Sequence, residues 1–252
     1  MRLAAVGDLH CNKNGQGRYK ELFSRAAEQA DVLLLCGDLT DYGLPEEARV
    51  LAREIGNLAA HIPIVAVLGN HDFESGKAEE VWEILTGAGV TLLDGDTCEF
   101  HGVGFAGVKG FAGGFGARTL RSFGEPSIKT FVHEAVEESL KLETSLANLR
   151  TEQRVALLHY APIEGTIRGE PQEIYPLLGT SRLEDPFNRY PVSMVFHGHA
   201  HFGTPEGRTR VGVPVYNVAM PLLLRTTPDR PGFKLVEVQP AEAIALLPPA
   251  GA

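Results

Sequence analysis

Apolar residues over the first third of the chain fall in short unbroken runs, and each run stops at a glycine followed by polar residues. Leu3–Val6 ends in Gly7-Asp8-Leu9-His10, Val32–Cys36 in Gly37-Asp38, and Ile62–Leu68 in Gly69-Asn70-His71-Asp72. Short runs rich in Val and Leu, bounded by Gly and Asp, predict strands buried on both faces. Between them the period changes. Tyr19–Gln29 sets Leu22, Phe23, Ala26 and Ala27 at helical spacing. Pro45 opens a second helix at its favoured first-turn position, continuing through Glu46–Leu58. Strands alternating with helices predict βαβ units and a parallel sheet.

After a third helix over Ala78–Leu85 the register changes. Val90–Leu93, Thr97–Phe100 and Val103–Gly107 read as short antiparallel strands joined by Asp-Gly or His-Gly turns. Lys109–Pro126, rich in Gly and Phe without a period, reads as a loop or lid, and Ile128–Leu149 as a long amphipathic helix. Val155–Leu158 is a strand ending at His159. The long stretch Glu164–Pro191 is irregular, with helical pieces near Ile174–Leu178 and Glu184–Tyr190. Val192–Phe196 is a strand ending in His197-Gly198-His199-Ala200-His201. Thr209–Val218 reads as a hairpin and Phe233–Val238 as a last strand. No repeat or linker divides the chain, so residues 1–240 are expected to form one domain and 241–252 a short Ala/Pro-rich tail.

Composition narrows the function classes. The chain carries 23 Lys and Arg against 32 Asp and Glu, a formal charge of −9. That balance argues against an extended nucleic-acid platform, which runs on phosphate neutralisation. It leaves anionic substrates open, because a local metal site outweighs a global charge. Three cysteines give no disulfide framework. No apolar run reaches the roughly 20 residues of a membrane span, and Gly7 and Asp8 come too early for the apolar region of a signal peptide. A soluble, cytoplasmic protein without a membrane partner is expected, and nothing in the sequence fixes its oligomeric state.

The candidate chemistry sits at the strand ends, where open α/β sheets bind their ligands. Five ends deliver Asp8 and His10, Asp38, Asn70 and His71, His159, and His199 and His201. The pairs Asp8/His10 and His199/His201 are spaced i, i+2, which on extended backbone points both side chains to one side. Mixed imidazole and carboxylate ligands without thiolates suit Zn, Mn or Fe. Seven donors, with His71 beside them, exceed what one tetrahedral ion needs. A shared Asp lets two ions sit about 3.5–4 Å apart, as in two-metal hydrolytic sites.

In order and spacing these segments resemble the five motifs of the calcineurin-like metallophosphoesterases, over positions 7 to 201. The resemblance implies a four-layer α/β sandwich, two mixed β-sheets flanked by helices, with a two-metal site at the sheet ends. Carried over residue by residue, Asp8, His10 and His201 bind a first metal, Asp38 bridges, and Asn70, His159 and His199 complete a second. His71 assists the leaving group or holds a phosphate oxygen, and Asp72 fixes its tautomer. Asp41 and Thr40 support or cap. The implied cofactors are two divalent or trivalent ions (Mn, Fe or Zn). The implied reaction is hydrolysis of a phosphomonoester or phosphodiester by a metal-bridging hydroxide. With no Lys/Arg run to form a nucleic-acid track, a small phosphoester substrate is expected: a nucleotide, a cyclic nucleotide or a glycerophosphodiester. Two alternatives stand beside this reading, a non-catalytic interaction protein retaining the fold and a two-metal hydrolase of a non-phosphate bond.

Other residues carry weaker claims. His61, His101 and His133 join no motif, whereas His197 alternates onto the ligand side and stays open as a ligand or support. Cys11 and Cys36 read as small buried fillers, and Phe187 and Tyr190 as core. Phe111, Phe115 and Phe123, with Arg118 and Arg121, are candidates for a substrate lid. Arg168, Glu170 and Arg182 are candidates for the pocket border.

Overall fold

The structure, a computed structural model, describes residues 1–56, 58–59, 61–229 and 231–238; the expected tail over 241–252 lies outside them. In chain order, strand β1 (Arg2–Val6) leads to helix α1 (Lys20–Gln29), β2 (Val32–Cys36), α2 (Pro45–Ile55), β3 (Ile64–Val67), α3 (Ala78–Gly87) and β4 (Val90–Leu92). Then follow β5 (Thr97–Phe100), β6 (Val103–Gly107), α4 (Pro126–Asn148), β7 (Gln153–Leu157), the short α5 (Tyr175–Leu178) and β8 (Met194–His197). The described chain ends with β9 (Glu206–Arg208), β10 (Pro214–Asn217), α6 (Met220–Thr226) and β11 (Lys234–Glu237). Among the described residues no helix is long and apolar enough to cross a membrane.

The strands form two mixed sheets, ordered β11-β1-β2-β3-β4 and β5-β6-β7-β8-β10-β9. Strands β1 to β4 pair in parallel, as do β6, β7, β8 and β10, with antiparallel strands at the edges. Because side chains alternate across a strand, each buried run feeds two cores. Leu3, Ala5, Leu34 and Val65 meet Phe105, Leu157 and Phe196 between the sheets. Ala4, Val6, Leu35 and Ala66 face outward onto Phe23, Leu51 and Leu85 of α1, α2 and α3. Ala156, Leu158 and Val195 of the second sheet face outward onto Leu142 and Leu146 of α4. The layers are therefore helix, sheet, sheet, helix, as expected.

Three local readings change. Val90–Leu92 pairs in parallel with β3, because α3 provides a crossover before it; only β5 and β6 form the antiparallel hairpin. The last hairpin shifts toward the N-terminus, with Thr209 and Val213 closing its turn. Helix α6 was not anticipated. Its Met-Pro-Leu-Leu-Leu run shows no polar face, and Pro221 reads as a breaker in sequence, although it occupies a tolerated first-turn position.

Candidate metal centre

The loops after β1 and β2 run side by side. Asp8 N donates to Gly37 O, His10 N to Asp38 O and Cys11 N to Leu39 O, at 2.9, 2.9 and 3.0 Å. Here the chain must turn sharply to aim its side chains over the strand ends, and the backbone shows it. Among the described residues, five non-glycine residues have positive φ: Asp8 (56°), His10 (47°), Asp38 (48°), His199 (70°) and His101 (52°). Four of them are sequence-predicted ligands. Left-handed backbone is uncommon outside glycine, and strain of this kind concentrates at functional sites.

Four motif glycines are required by close approach: a Cβ would lie 2.8 Å from Cys36 O at Gly7 and 2.4 Å from His159 Nδ1 at Gly37, and the other two are tighter. A Cβ on Gly69 would lie 2.2 Å from both the Asp38 backbone N and its Oδ1. A Cβ on Gly198 would lie 2.3 Å from Asp8 Oδ2 and 2.7 Å from Cys36 O. The two sheets thus meet at their strand ends with no room for a side chain between the donors.

Three groups of donor atoms converge, each within 4.8 Å: Asp8 with His10 and His201, Asp38 with His159 and His199, and His10 with Asp41 and His71. They adjoin, because His10 stacks edge-on to His71 at 4.6 Å and to His201 at 5.5 Å, and His159 lies 4.8 Å from His199. Asp8 is fully buried; its carboxylate accepts from His199 N at 3.0 Å and faces His201 Nε2 at 2.9 Å. Asp38 accepts from His71 N at 2.8 Å. Asn70 Oδ1 lies 2.8 Å from His159 Nε2.

The donor set fits cations. The His159 Nδ1 faces the Cys36 carbonyl at 3.0 Å, which fixes it as the N–H side. Its Nε2 then faces Asp38 Oδ1 at 3.3 Å, an acceptor whichever way the Asn70 amide is turned. A neutral imidazole has one proton for these acceptors, so this corner calls for a proton or a metal ion. Burial disfavours the proton, but the charge and hydrogen bond of Asp38 push the His159 pKa up to about 9. The carboxyl of Asp38 is opposed by burial yet held well below its ordinary value by His159. Loss of hydration around the half-buried His199 ring pulls its pKa down to about 4, and His10 is lowered for the same reason. His201 is raised, first by its hydrogen bond to Asp8. His10 Nε2 is buried without a hydrogen-bond partner, 3.9 Å from Asp38 Oδ2. A lone-pair nitrogen left there among carboxylates suits metal ligation.

Asp72 sits elsewhere than its expected place behind His71. Fully buried, it accepts from Leu39 N (3.1 Å), Thr40 N (2.8 Å), Thr40 Oγ1 (2.6 Å) and Gly69 N (2.8 Å). It therefore stitches the loop after β2 to the loop after β3, and the His71 Nδ1 is taken by the Asp41 carbonyl at 2.7 Å. His197 is fully buried with both nitrogens engaged, Nδ1 on Gly198 O at 2.8 Å and Nε2 on Thr166 Oγ1 at 2.7 Å. It braces the histidine loop. Glu170 does likewise through Phe202 N at 2.6 Å.

The proposed lid divides. Phe115 is buried, and Phe111 packs on Phe131 and Tyr160, while Phe123 is exposed. Arg118 and Arg121 are exposed, Arg168 lies 3.9 Å from Glu164, and Arg182 Nη2 donates to Leu120 O. Cys11, Cys36, Phe187 and Tyr190 pack in the cores. Sequence reasoning missed Tyr160, whose ring lies 4.6 Å from that of His199. It also missed Asn217, which donates to Ala200 O at 2.8 Å beneath the histidine loop. A signal existed for the second, a polar residue closing the apolar strand β10 directly opposite His197.

The family described as calcineurin-like phosphoesterase matches residues 1–203. Similar solved structures include the phosphopantetheinyl hydrolase PptH from Mycobacterium tuberculosis, 17% identical, with a TM-score of 0.66 over 94% of this chain and 96% of that one. Another is TT1561 of Thermus thermophilus, 14% identical, with a TM-score of 0.54 over 94% and 99%. No curated protein matches the chain. At these identities the solved structures speak for the fold alone, and the match over residues 1–203, with a donor cluster at the sheet ends, decides the rest: the chain belongs to the calcineurin-like phosphoesterases.

Proposed function

We propose that this protein is a two-metal hydrolase of a small phosphomonoester or phosphodiester. The observation that carries the reading is the pair of mixed imidazole–carboxylate groups, Asp8/His10/His201 and Asp38/His159/His199, lying side by side. Asp8, His10 and His201 would hold one ion and Asn70, His159 and His199 the other, with Asp38 available to both. Divalent cations bound there supply Lewis acidity toward water and toward the phosphoryl oxygens. Asn70 is a neutral oxygen donor, so the second position keeps more positive charge than another carboxylate would allow.

The remaining chemistry belongs to the protein. A departing alkoxide needs a proton or a strong hydrogen bond. His71 is partly exposed beside His10, with Nδ1 on the Asp41 carbonyl and the Glu74 carboxylate 3.8 Å away. Protonated, it would present Nε2–H to the leaving oxygen, with Nδ1 held by the Asp41 carbonyl. The backbone bond from His71 N to Asp38 ties that acid to the shared ligand. Asp72 is a positioning residue, holding the Asp38 and Asn70 loops in register. An interaction protein that had shed catalysis would be expected to shed donors, and every one is present.

The test is hydrolysis of a panel of aryl phosphate mono- and diesters, with metal content measured on the same protein. The panel includes a phosphopantetheinyl diester, after the name of one structural neighbour. Activity restored by Mn²⁺ after chelation, with two ions bound per chain, supports the reading. One ion or none in fully loaded protein refutes the two-metal site, and two ions without turnover refutes the phosphoesterase.

A further inference from the structure

Next to the proposed metal centre lies an open cavity of about 340 Å³. Strand order explains its place. The ligands leave β1, β2, β3, β7 and β8, whereas the cavity is walled by Leu68 after β3, Leu93 after β4 and Lys109 after β6. It is the next recess outward along the same row of strand ends, with Trp82 of α3 forming its far wall.

Two of its lining residues adjoin the proposed site. Phe73 lines the cavity and closes the short helical turn that begins at His71. Lys109 also lines it, and its ammonium lies 5.6, 4.9 and 5.4 Å from the ring centres of Phe73, Phe111 and Tyr160. Tyr160 in turn packs against His199 and His159. The cavity therefore lies on the His71 flank of the site, the side on which a leaving group would depart.

We infer that this cavity receives the alcohol half of the phosphoester, and that this half is uncharged and apolar. The inference rests on the phosphoesterase reading and on the assignment of His71 to the leaving oxygen. The volume falls in the range of small-ligand pockets, and the wall is of the aromatic and aliphatic kind that such pockets use. Charge selects within that class. Glu79, Glu83 and Asp94 border the cavity, and Asp94 is already paired with Lys141 at 2.9 Å. The Lys109 ammonium faces three rings and donates to Gly110 O. The exposed carboxylates on α3 repel a second anion, so a polyphosphate or dicarboxylate tail is disfavoured.

Trp82 is the chain's one tryptophan and lines the cavity, so the indole emission comes from its wall. The probe is 4-phenylbutan-1-ol, an uncharged alcohol, titrated into metal-loaded protein. The second measurement is the ratio of kcat/KM for 4-phenylbutyl phosphate over methyl phosphate. A saturable change in Trp82 emission is expected, with a ratio of at least about tenfold, as apolar pockets discriminate. Ala78→Phe places a ring in the cavity from the first turn of α3. It is expected to weaken the alcohol at least tenfold and to lower the ratio by a similar factor. Turnover of both phosphates without any Trp82 response overturns the inference and leaves the phosphoesterase reading standing. So does an Ala78→Phe protein that binds the alcohol as wild type does. A Trp82 response with no phosphoester turned over refutes the phosphoesterase reading and removes the alcohol-half assignment with it.

Discussion

Replacing Gly198 by Ala adds one methyl group where two fixed oxygens meet. Its Cβ would sit 2.3 Å from Asp8 Oδ2 and 2.7 Å from the Cys36 carbonyl oxygen. Contacts between such atoms belong near 3.3 Å, so something must move by about 1 Å. Neither neighbour yields easily. Asp8 is held by His199 N and His201 Nε2, and the Cys36 carbonyl accepts from His159 Nδ1. Overpacking of this kind costs roughly 1–3 kcal/mol. Gly198 lies outside the left-handed region. Conformational entropy alone would then make the same substitution stabilising by about 0.4–1 kcal/mol. The sign of the effect decides between these accounts.

The expected result is a folded protein whose melting point drops by several degrees, at about 2–4 °C per kcal/mol for a chain of this size. Asp8 would be displaced, so metal content should fall from two ions toward one, and hydrolysis of an aryl phosphate should fall about 100-fold, as for a 1 Å misplacement. Gly87→Ala is the control. Gly87 closes α3 with nothing within 4 Å of the added Cβ, so that variant should be neutral or slightly more stable. Metal is counted by mass spectrometry after gel filtration, and stability by calorimetry. A Gly198→Ala protein with two tightly bound ions, an unchanged melting point and activity within threefold would refute the close-packed cradle.

Three further outcomes follow from the site. Asp38→Ala should lose metal and rate together, whereas His71→Ala should keep both ions and lose about 10²–10⁴ in kcat; parallel metal and rate measurements separate the two. Asp72→Asn turns an amide NH₂ toward two of the four donors now facing the carboxylate, a cost of about 1–3 kcal/mol read as lost thermal stability. Because Asp72 makes no contact with the His71 ring, the pH profile of kcat should keep its shape in that variant, and a shifted profile would restore Asp72 as an acceptor behind His71. In metal-free protein the folded-state pKa of His159 is raised from 6.5 to about 9. The resulting stabilisation is complete below pH 6.5 and lost as the pH rises through about 9. Metal must displace that proton. Metal affinity should therefore climb with pH up to about 9 while the melting point of the metal-free protein declines, and calorimetry in buffers of different ionisation heat should detect the released proton at pH 7.

The proposed donors stand out in the sequence because most are announced locally. A buried parallel strand must end in a loop, and an apolar run followed by Gly-Asp, Gly-Asn-His or Gly-His-Ala-His puts the donors where that loop begins. Asp8, His10 and His199 sit on left-handed rather than extended backbone, so a sharp turn, not strand alternation, aims them. Alternation left His197 open as ligand or support; it closes β8 with both ring nitrogens bonded to Gly198 and Thr166, which is a supporting place.

What the sequence withheld is the long-range support. Asp72 reaches loops 32 and 33 residues away, and His159 finds the carbonyl that fixes its tautomer 123 residues away. No local spacing encodes such partners; they follow only once the two sheets close on each other. The same holds for acceptors supplied by backbone. The Asp41 carbonyl behind His71 and the Cys36 carbonyl behind His159 would be present with any residue at those positions. Sequence reasoning therefore assigned the orienting role to the nearest carboxylate, Asp72, when the chain had given it to a peptide group. A carbonyl cannot be removed by substituting its side chain, which makes the orientation of both imidazoles depend on loop path. At the glycines that let those loops pass, Gly69 and Gly198 among them, one added methyl group would therefore disturb the proposed metal centre without touching a donor.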